Sequence, residues 1–275
     1  MRLGIATNLE HRSPEEWAGQ MKQLGCGSVL FPVDYTAPQQ QIDAYQKVAK
    51  DYDLVIAEVG VWCSPLSPNE KAREAALERC VKQLELADYV KANCCVNVSG
   101  SAGARWDGAY AENFSEKMWE QVVTSVQTII DKVSPKHTYY TLEPMPWMIP
   151  MDPEQYMQLI QDIGRERFAV HMDAINWITD PQKYFFNKEF MENAFKKMNV
   201  RIKSCHIKDV RLKEEFTWQL EECECGAGNM DLERYAELAN EISPDMPMII
   251  EHLHSDEEYL KSLSYVKNCL KKYIV

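Results

Sequence analysis

No apolar run in the 275 residues approaches the roughly 20 that a membrane-spanning helix requires, so no membrane partner is expected. The opening Met1-Arg2-Leu3-Gly4-Ile5-Ala6-Thr7 lacks the apolar stretch and small-residue cleavage site of a secretory signal. A cytoplasmic location is expected on that basis. Glycine is scarce, at 11 residues, and the glycine fingerprint of a dinucleotide-binding turn is missing, which argues against an open, doubly wound nucleotide-binding sheet. The nine cysteines, at 26, 63, 80, 94, 95, 205, 223, 225 and 269, form an odd and scattered set without paired Cys-x-x-Cys units. Free thiols in a reducing compartment fit that pattern. Cys223 and Cys225 have no second pair to complete a zinc site, and Cys94 and Cys95 read as strand filler. Positive charge is also short: 30 Lys and Arg stand against 42 Asp and Glu, for a net charge of −12. The longest cationic clusters, Lys196-Lys197 and Lys271-Lys272, fall in predicted helices and read as solvated faces. A phosphate backbone would be repelled over most of such a surface, so nucleic acid is not an expected partner.

What remains is an ordinary globular balance, 45% hydrophobic and 26% charged. Short β-rich runs alternate with longer amphipathic stretches from end to end, the signature of repeated βα units on a parallel sheet. Strands are predicted at 3–7, 28–31, 54–58, 94–98, 138–143, 168–172, 202–207 and 248–251. Helices are predicted near 14–24, 38–51, 68–91, 113–133, 153–163, 181–196, 231–241 and 255–272. Ser13-Pro14, Ser67-Pro68 and Asp152-Pro153 each place a capping residue before proline at a helix start. Eight strand-helix units without a Gly- or Pro-rich linker suit an α/β fold closed as a (β/α)8 TIM barrel, one domain over residues 1–275.

In such a barrel the reactive side chains come from the C-terminal ends of the strands. Glu143 ends Thr138-Tyr139-Tyr140-Thr141-Leu142 and is followed by Pro144, which stops the strand. Asp173 ends the run 168–172, His206 closes 202–205, and Glu251 closes 248–250 in the same manner. The intervals between them, 30, 33 and 45 residues, each match one βα unit, the last with a longer loop. One acidic residue at a strand end often does no more than cap the next helix. Four in register are harder to explain so, because three carboxylates buried together need a cation. Glu143, Asp173, His206 and Glu251 form an oxygen-rich set suited to a single divalent metal ion. Mn2+ is expected, with Mg2+, Co2+ and Zn2+ as alternatives.

The motifs Leu142-Glu143-Pro144, His171-Met172-Asp173, Cys205-His206-Ile207-Lys208-Asp209, Gly226-Ala227-Gly228-Asn229-Met230-Asp231 and Ile250-Glu251-His252 resemble the sugar phosphate isomerase/epimerase superfamily, the xylose isomerase-like barrels. The resemblance spans nearly the whole chain and says little about substrate. It implies that Glu143 and Glu251 bind the metal and also move the proton, as in ketose 3-epimerases. A metal beside a substrate carbonyl would ease removal of the neighbouring C–H proton and stabilise an enediolate. Two carboxylates could then deprotonate one face and reprotonate the other. Many epimerase members place a histidine three residues after the metal aspartate, where Asn176 stands here, so the grasp on substrate differs at that point. Arg211 corresponds to the family's arginine after the metal histidine, with a solvent-facing position as the alternative. Lys208 and Asp209 match the post-histidine pair, as groups that orient His206 or substrate hydroxyls, or else as an internal salt bridge.

Trp62, Trp147 and Trp177 each follow a predicted strand and are candidates for an aromatic wall, with loop packing as the alternative. Glu58 and Asn97 end their strands and are candidates for hydroxyl contacts. His11 follows the first strand. Alternation turns His252 away from the lumen, so neither it nor His254 is counted as a ligand. The expected activity is a metal-dependent isomerase or epimerase of a small sugar or keto-polyol, acting by proton abstraction alpha to a carbonyl. The alternative is a lyase or dehydratase on a keto-inositol or 3-keto-glycoside with the same first step. An apurinic-site endonuclease, which needs more histidines than the 6 present, is remote. The expected partner is a small carbohydrate, and a homo-oligomer is compatible with a barrel of this kind.

Overall fold

A computed structural model describes residues 1–6 and 9–273. The chain alternates strand and helix as β1 (Arg2–Ile5), α1 (Pro14–Gln23), β2 (Ser28–Leu30), α2 (Gln39–Asp51), β3 (Val55–Gly60), α3 (Glu70–Val90), β4 (Cys94–Asn97), α4 (Glu116–Val133), β5 (Tyr140–Leu142) and α5 (Pro153–Ile163). It continues through β6 (Phe168–Met172), α6 (Pro181–Phe185), α7 (Asn187–Met198), β7 (Ile202–Ile207), β8 (Asp209–Leu212), β9 (Leu220–Cys223), α8 (Leu232–Ile242), β10 (Pro247–Ile250) and α9 (Asp256–Cys269). Among the described residues the parallel sheet has eight strands in the order β1-β10-β7-β6-β5-β4-β3-β2. This is the expected (β/α)8 barrel, closed except for a looser seam between β1 and β2.

At that seam the Gly27 N–H donates to the Leu3 carbonyl at 2.8 Å, and the Ser28 hydroxyl donates to the Arg2 carbonyl at 2.8 Å. Gly4 lets the two strands approach, since a Cβ there would lie 2.5 Å from the Ser28 carbonyl oxygen and 2.6 Å from Ile249 Cδ1. Gly4→Ala should therefore cost about 1–3 kcal/mol through overpacking against backbone. Urea unfolding checks this, and an unchanged midpoint would mean that the seam can open.

The outward faces of the strands carry the main core. Phe168, Val170 and Met172 of β6, and Ile202, Cys205 and Ile207 of β7, are buried against helix residues such as Tyr156, Leu159, Phe195 and Tyr235. Alternation, together with the register shift that pairs Val170 with Ile202 but His171 with Ser204, leaves Ala169, His171, Ser204 and His206 on the opposite face, inside the barrel. Trp177 is fully buried in the core, with its indole N–H on the Pro150 carbonyl and its ring edge-on to Tyr156. It therefore cannot form part of an aromatic wall.

Sequence and structure differ in a few elements. The first predicted strand ran through Thr7, which lies outside the described residues. The helix after β3 starts at Glu70, because the Asn69 side chain accepts the Ala72 N–H at 3.0 Å and takes the capping role expected of Ser67. The stretch 181–196 is two helices. The Asn187 amide donates to the Tyr184 carbonyl at 2.8 Å, competing with the helical ladder where α6 gives way to α7. The long connection after His206 contains the antiparallel hairpin of β8 and β9, which had not been predicted. Among the described residues no helix is long and apolar enough to cross a membrane.

Candidate active site

Glu143, Asp173, His206 and Glu251 follow or end β5, β6, β7 and β10, which are consecutive in the sheet. Their ligand atoms all lie within 4.8 Å of one another, and all four residues are buried. This convergence follows from the register: Leu142 pairs with Val170, Met172 with Cys205, and His206 with Ile249. Glu143, Asp173 and Glu251 are the first residues past β5, β6 and β10, and His206 is the last inward-facing residue within β7, one position beyond the Met172–Cys205 pair as Asp173 is.

Two buried basic groups share this space. His206 Nδ1 lies 2.8 Å from Glu251 Oε2 and 3.5 Å from Glu143 Oε1. The Lys208 ammonium lies 2.7 Å from Asp173 Oδ2 and 2.9 Å from Glu251 Oε1, with only 1% of its surface exposed. Burial disfavours charge on His206, but Glu251, Glu58 and Glu143 outweigh it and raise the imidazole well above its usual value. Burial likewise works against Lys208, and Asp173 and Glu251 overcome it, so that the ammonium is held charged. Burial pushes Glu251 up, yet His206 and Lys208 bring it well below the ordinary carboxylate range. Asp173 goes the other way, raised by burial to about 6 despite Lys208.

The donor set fits a divalent cation. His206 Nδ1 and Asp173 Oδ2 are buried without an aligned hydrogen bond, although each has an oppositely charged neighbour within ion-pair distance. A metal-binding nitrogen and oxygen would be left in that condition. The Asp173 Oδ1 is already used, accepting the Ile175 and Asn176 N–H groups at 3.1 and 3.2 Å, which fixes the carboxylate plane.

Beneath this group lies a feature that sequence reasoning missed. Glu58, 1% exposed, places Oε1 at 2.9 Å from His206 Nε2 and Oε2 at 3.2 Å from His171 Nδ1. The His171 and His206 rings meet edge to face with centroids 4.1 Å apart. Burial would raise the Glu58 carboxyl, but the two imidazoles reverse the effect and bring it down to about 2. Glu58 had been a candidate for substrate hydroxyls. Instead it is covered, and it orients the far nitrogen of the proposed metal histidine, an outer carboxylate that fixes ring and tautomer. The available signal was alternation, which puts His171 on the same face as Asp173. Glu58→Gln should weaken metal binding by about 10–100-fold; calorimetric titration of the metal-stripped protein checks this, and unchanged affinity would show that the ring is held by other means.

The remaining residues divide into those that reach the cluster and those with other partners. Asn176 donates through Nδ2 to Glu143 Oε1 at 3.1 Å and to the Pro144 carbonyl at 3.0 Å, so it touches one of the four carboxylates. His252 does not point away as alternation suggested. The strand has ended at Ile250, and a left-handed φ of 59° swings its ring back, with Nε2 3.4 Å from Glu251 Oε1 and Nδ1 2.6 Å from Glu222 of the hairpin. Arg211 stands on that hairpin, over half exposed and ion-paired with Glu221. Trp147 is half-buried and donates its indole N–H to the Asp107 carbonyl at 2.8 Å, while Trp62 is 40% exposed beyond the end of β3. Asn97 faces the helix side, where its oxygen accepts the Cys63 N–H at 3.0 Å. His11 bonds Tyr45 at 2.8 Å.

Asp209 has a structural task. Its carboxylate accepts N–H bonds from Val210, Gly226, Gly228 and Met230 at 2.9–3.1 Å. That explains the Gly-x-Gly-x-x-Asp motif: a Cβ on Gly228 would stand 2.1 Å from Asp209 Oδ1, so only glycine lets the loop wrap the carboxylate. Asp231, the motif's last residue, caps α8 by accepting the Arg234 N–H at 2.9 Å.

The sequence matches the family described as xylose isomerase-like TIM barrel over residues 19–269. Among solved structures, a xylose isomerase-like TIM barrel protein from Mycobacterium smegmatis in complex with magnesium superposes with a TM-score of 0.69 at 15% identity, covering 96% of this chain and 91% of that one. The 3-keto-D-glucoside 4-epimerase of E. coli gives a TM-score of 0.72 at 13% identity, over 98% and 100% of the two chains. The probable 3-DHS dehydratase involved in petrobactin synthesis in Bacillus anthracis gives 0.73 at 13% identity, over 98% and 99%. At such identities the likeness is one of fold. A comparison with curated protein sequences returned no match.

Proposed function

This chain belongs to the xylose isomerase-like TIM barrel family, and from that premise we propose that it is a divalent-metal-dependent isomerase or epimerase of a small sugar or keto-polyol. The observation that carries the reading is the convergence of Glu143, Asp173, His206 and Glu251, from four consecutive strands, with ligand atoms within 4.8 Å. Three carboxylates and one imidazole are a hard donor set, for which Mn2+ or Mg2+ is the natural occupant. When bound, such an ion supplies Lewis acidity beside a substrate carbonyl.

The residues of this chain do the rest. Glu143 and Glu251 come from the outer two of the four strands, so they face each other across His206. One removes the proton alpha to the carbonyl, and the other returns a proton to the opposite face of the same carbon, giving the epimer, or to the adjacent carbon, giving the isomer. Asn176 holds Glu143 through its amide. Lys208, charged and enclosed, balances Asp173 and Glu251 and offers a hydrogen-bond donor where negative charge develops on the substrate. Arg211, Trp62 and Trp147 are assigned to the substrate side of the mouth.

A second reading, elimination by a lyase or dehydratase, is favoured by one observation. The His252 ring sits on the rim 3.4 Å from Glu251, braced by Glu222, where a leaving hydroxyl would need a donor. Incubation of the metal-loaded protein in D2O with ketoses, keto-inositols and 3-keto-glycosides separates the two by NMR. Deuterium at one carbon with an epimeric or isomeric product supports the first reading, and an unsaturated product the second. Absence of exchange across all three classes would set both aside.

A further inference from the structure

We propose that Cys63 and Cys80 form a peroxide-sensitive thiol pair that closes to a reversible disulfide next to the barrel mouth. Their sulfurs lie 3.8 Å apart, so each needs to move only a little to reach a bonding separation of about 2.05 Å. Cys63 lies on the loop after β3 and is partly exposed, whereas Cys80 is enclosed on α3. The pair thus joins a residue at the edge of solvent, where a small oxidant arrives first, to one that is enclosed.

The surroundings favour this division of roles. The Cys63 N–H is tied to Asn97 Oδ1 at 3.0 Å, and the Arg79 guanidinium reaches from α3 to the same loop, where it donates to the Val61 carbonyl at 2.9 Å. The hydrogen bond from Cys80, together with Arg79 and Asn97, lowers the Cys63 thiol against the opposing effect of burial. Its partnership with Cys63 and its burial push the Cys80 thiol well above the usual range. Cys80 keeps polar company even so, at 3.5 Å from the Tyr140 hydroxyl and 3.6 Å from the Asn97 amide.

The chemistry is that of a peroxidatic and a resolving thiol. The Cys63 thiolate attacks hydrogen peroxide and breaks the O–O bond, giving a sulfenic acid and hydroxide, which takes up a proton to become water. The Cys80 sulfur then attacks the Cys63 sulfur, and its proton leaves with the departing hydroxyl as a second water. The two thiols lose two electrons and the peroxide gains them. The bridge would fasten the β3–α3 loop, which carries Trp62, to α3. Nothing in this depends on the metal or on the proposed reaction.

The test is to treat the full chain with hydrogen peroxide and map disulfides by mass spectrometry of a non-reduced digest. The expected result is a 63–80 cross-link, its reversal by dithiothreitol, and a fall of two in titratable thiols when Cys269 is replaced by serine. Cys269→Ser should leave the cross-link in place, and Cys63→Ser should remove it. Cys80→Ser should leave a sulfenic acid on Cys63 that a dimedone reagent traps. Two outcomes overturn the proposal: Cys63 carried on to sulfinic acid without any cross-link, or both thiols still reduced under conditions that oxidise the exposed Cys269.

Discussion

Replacing Glu251 with glutamine should lower conversion of substrate to product by about 10²–10⁴-fold, the usual contribution of a positioned acid or base, while the barrel stays folded. The side chain keeps its shape and can still bond the Lys208 ammonium, which lies 2.9 Å from Oε1 and also contacts Asp173. What is lost is a carboxylate that can accept a proton. Glu143→Gln should produce a loss of similar size, since the proposed reaction needs one group to take the proton and another to return it. The two variants need not fail alike. With one base removed, solvent exchange from a single face of the substrate can persist while conversion to the epimer stops. Comparing isotope exchange with product formation in each variant, at matched metal content, checks the assignment. Full exchange and full conversion in Glu251→Gln would place the base elsewhere.

The second large effect concerns stability. Asp209→Ala should destabilise the fold by about 3–5 kcal/mol, because backbone donors at Val210, Gly226, Gly228 and Met230 lose their common acceptor. Each buried donor left unpaired costs about 1–3 kcal/mol, and partial access of water to the loop limits the sum. For a chain of this size the melting temperature should fall by about 10 °C. Asp209→Asn keeps one acceptor oxygen but turns an NH2 group toward backbone donors, so an intermediate loss is expected. Thermal unfolding of both variants checks the order, and an Asp209→Ala protein as stable as the parent would mean that the loop is held by its other contacts, such as the Asn187 oxygen that accepts the Asp231 N–H at 2.8 Å.

The barrel and the four proposed ligands were legible in the sequence for one physical reason. Parallel strands covered by helices read as short apolar runs, and the first polar residue after such a run is displayed at the barrel mouth. Glu143, Asp173 and Glu251 are of that kind, whereas His206 is displayed from within β7, after Lys203 and Ser204. What was not legible depends on contacts between distant segments. Glu58 could be placed at the end of β3, but only the closed barrel shows that it faces His206 and His171 across the lumen, 148 and 113 positions along. His252 was assigned by alternation, which fails once the strand stops and the backbone takes a positive φ. In the β8–β9 hairpin Asp209-Val210-Arg211-Leu212 alternates but Leu220-Glu221-Glu222-Cys223 does not, and the pair sits within a connection, where the expectation of one strand per unit hid it. Asp209 reads in sequence as a partner for His206 or for substrate hydroxyls, or as half of an internal salt bridge, and the motif that explains it, around Gly226 and Gly228, lies on the far side of that hairpin.

Everything proposed for the site rests on one divalent ion held between Glu143, Asp173, His206 and Glu251. The most direct measurement is calorimetric titration of Mn2+ and of Mg2+ into protein stripped with a chelator, for the parent chain and for Asp173→Asn and His206→Ala, with folding monitored in parallel. A single site is expected in the parent, and its loss in both folded variants. No binding of either ion by the parent, or binding that survives both substitutions, would contradict it.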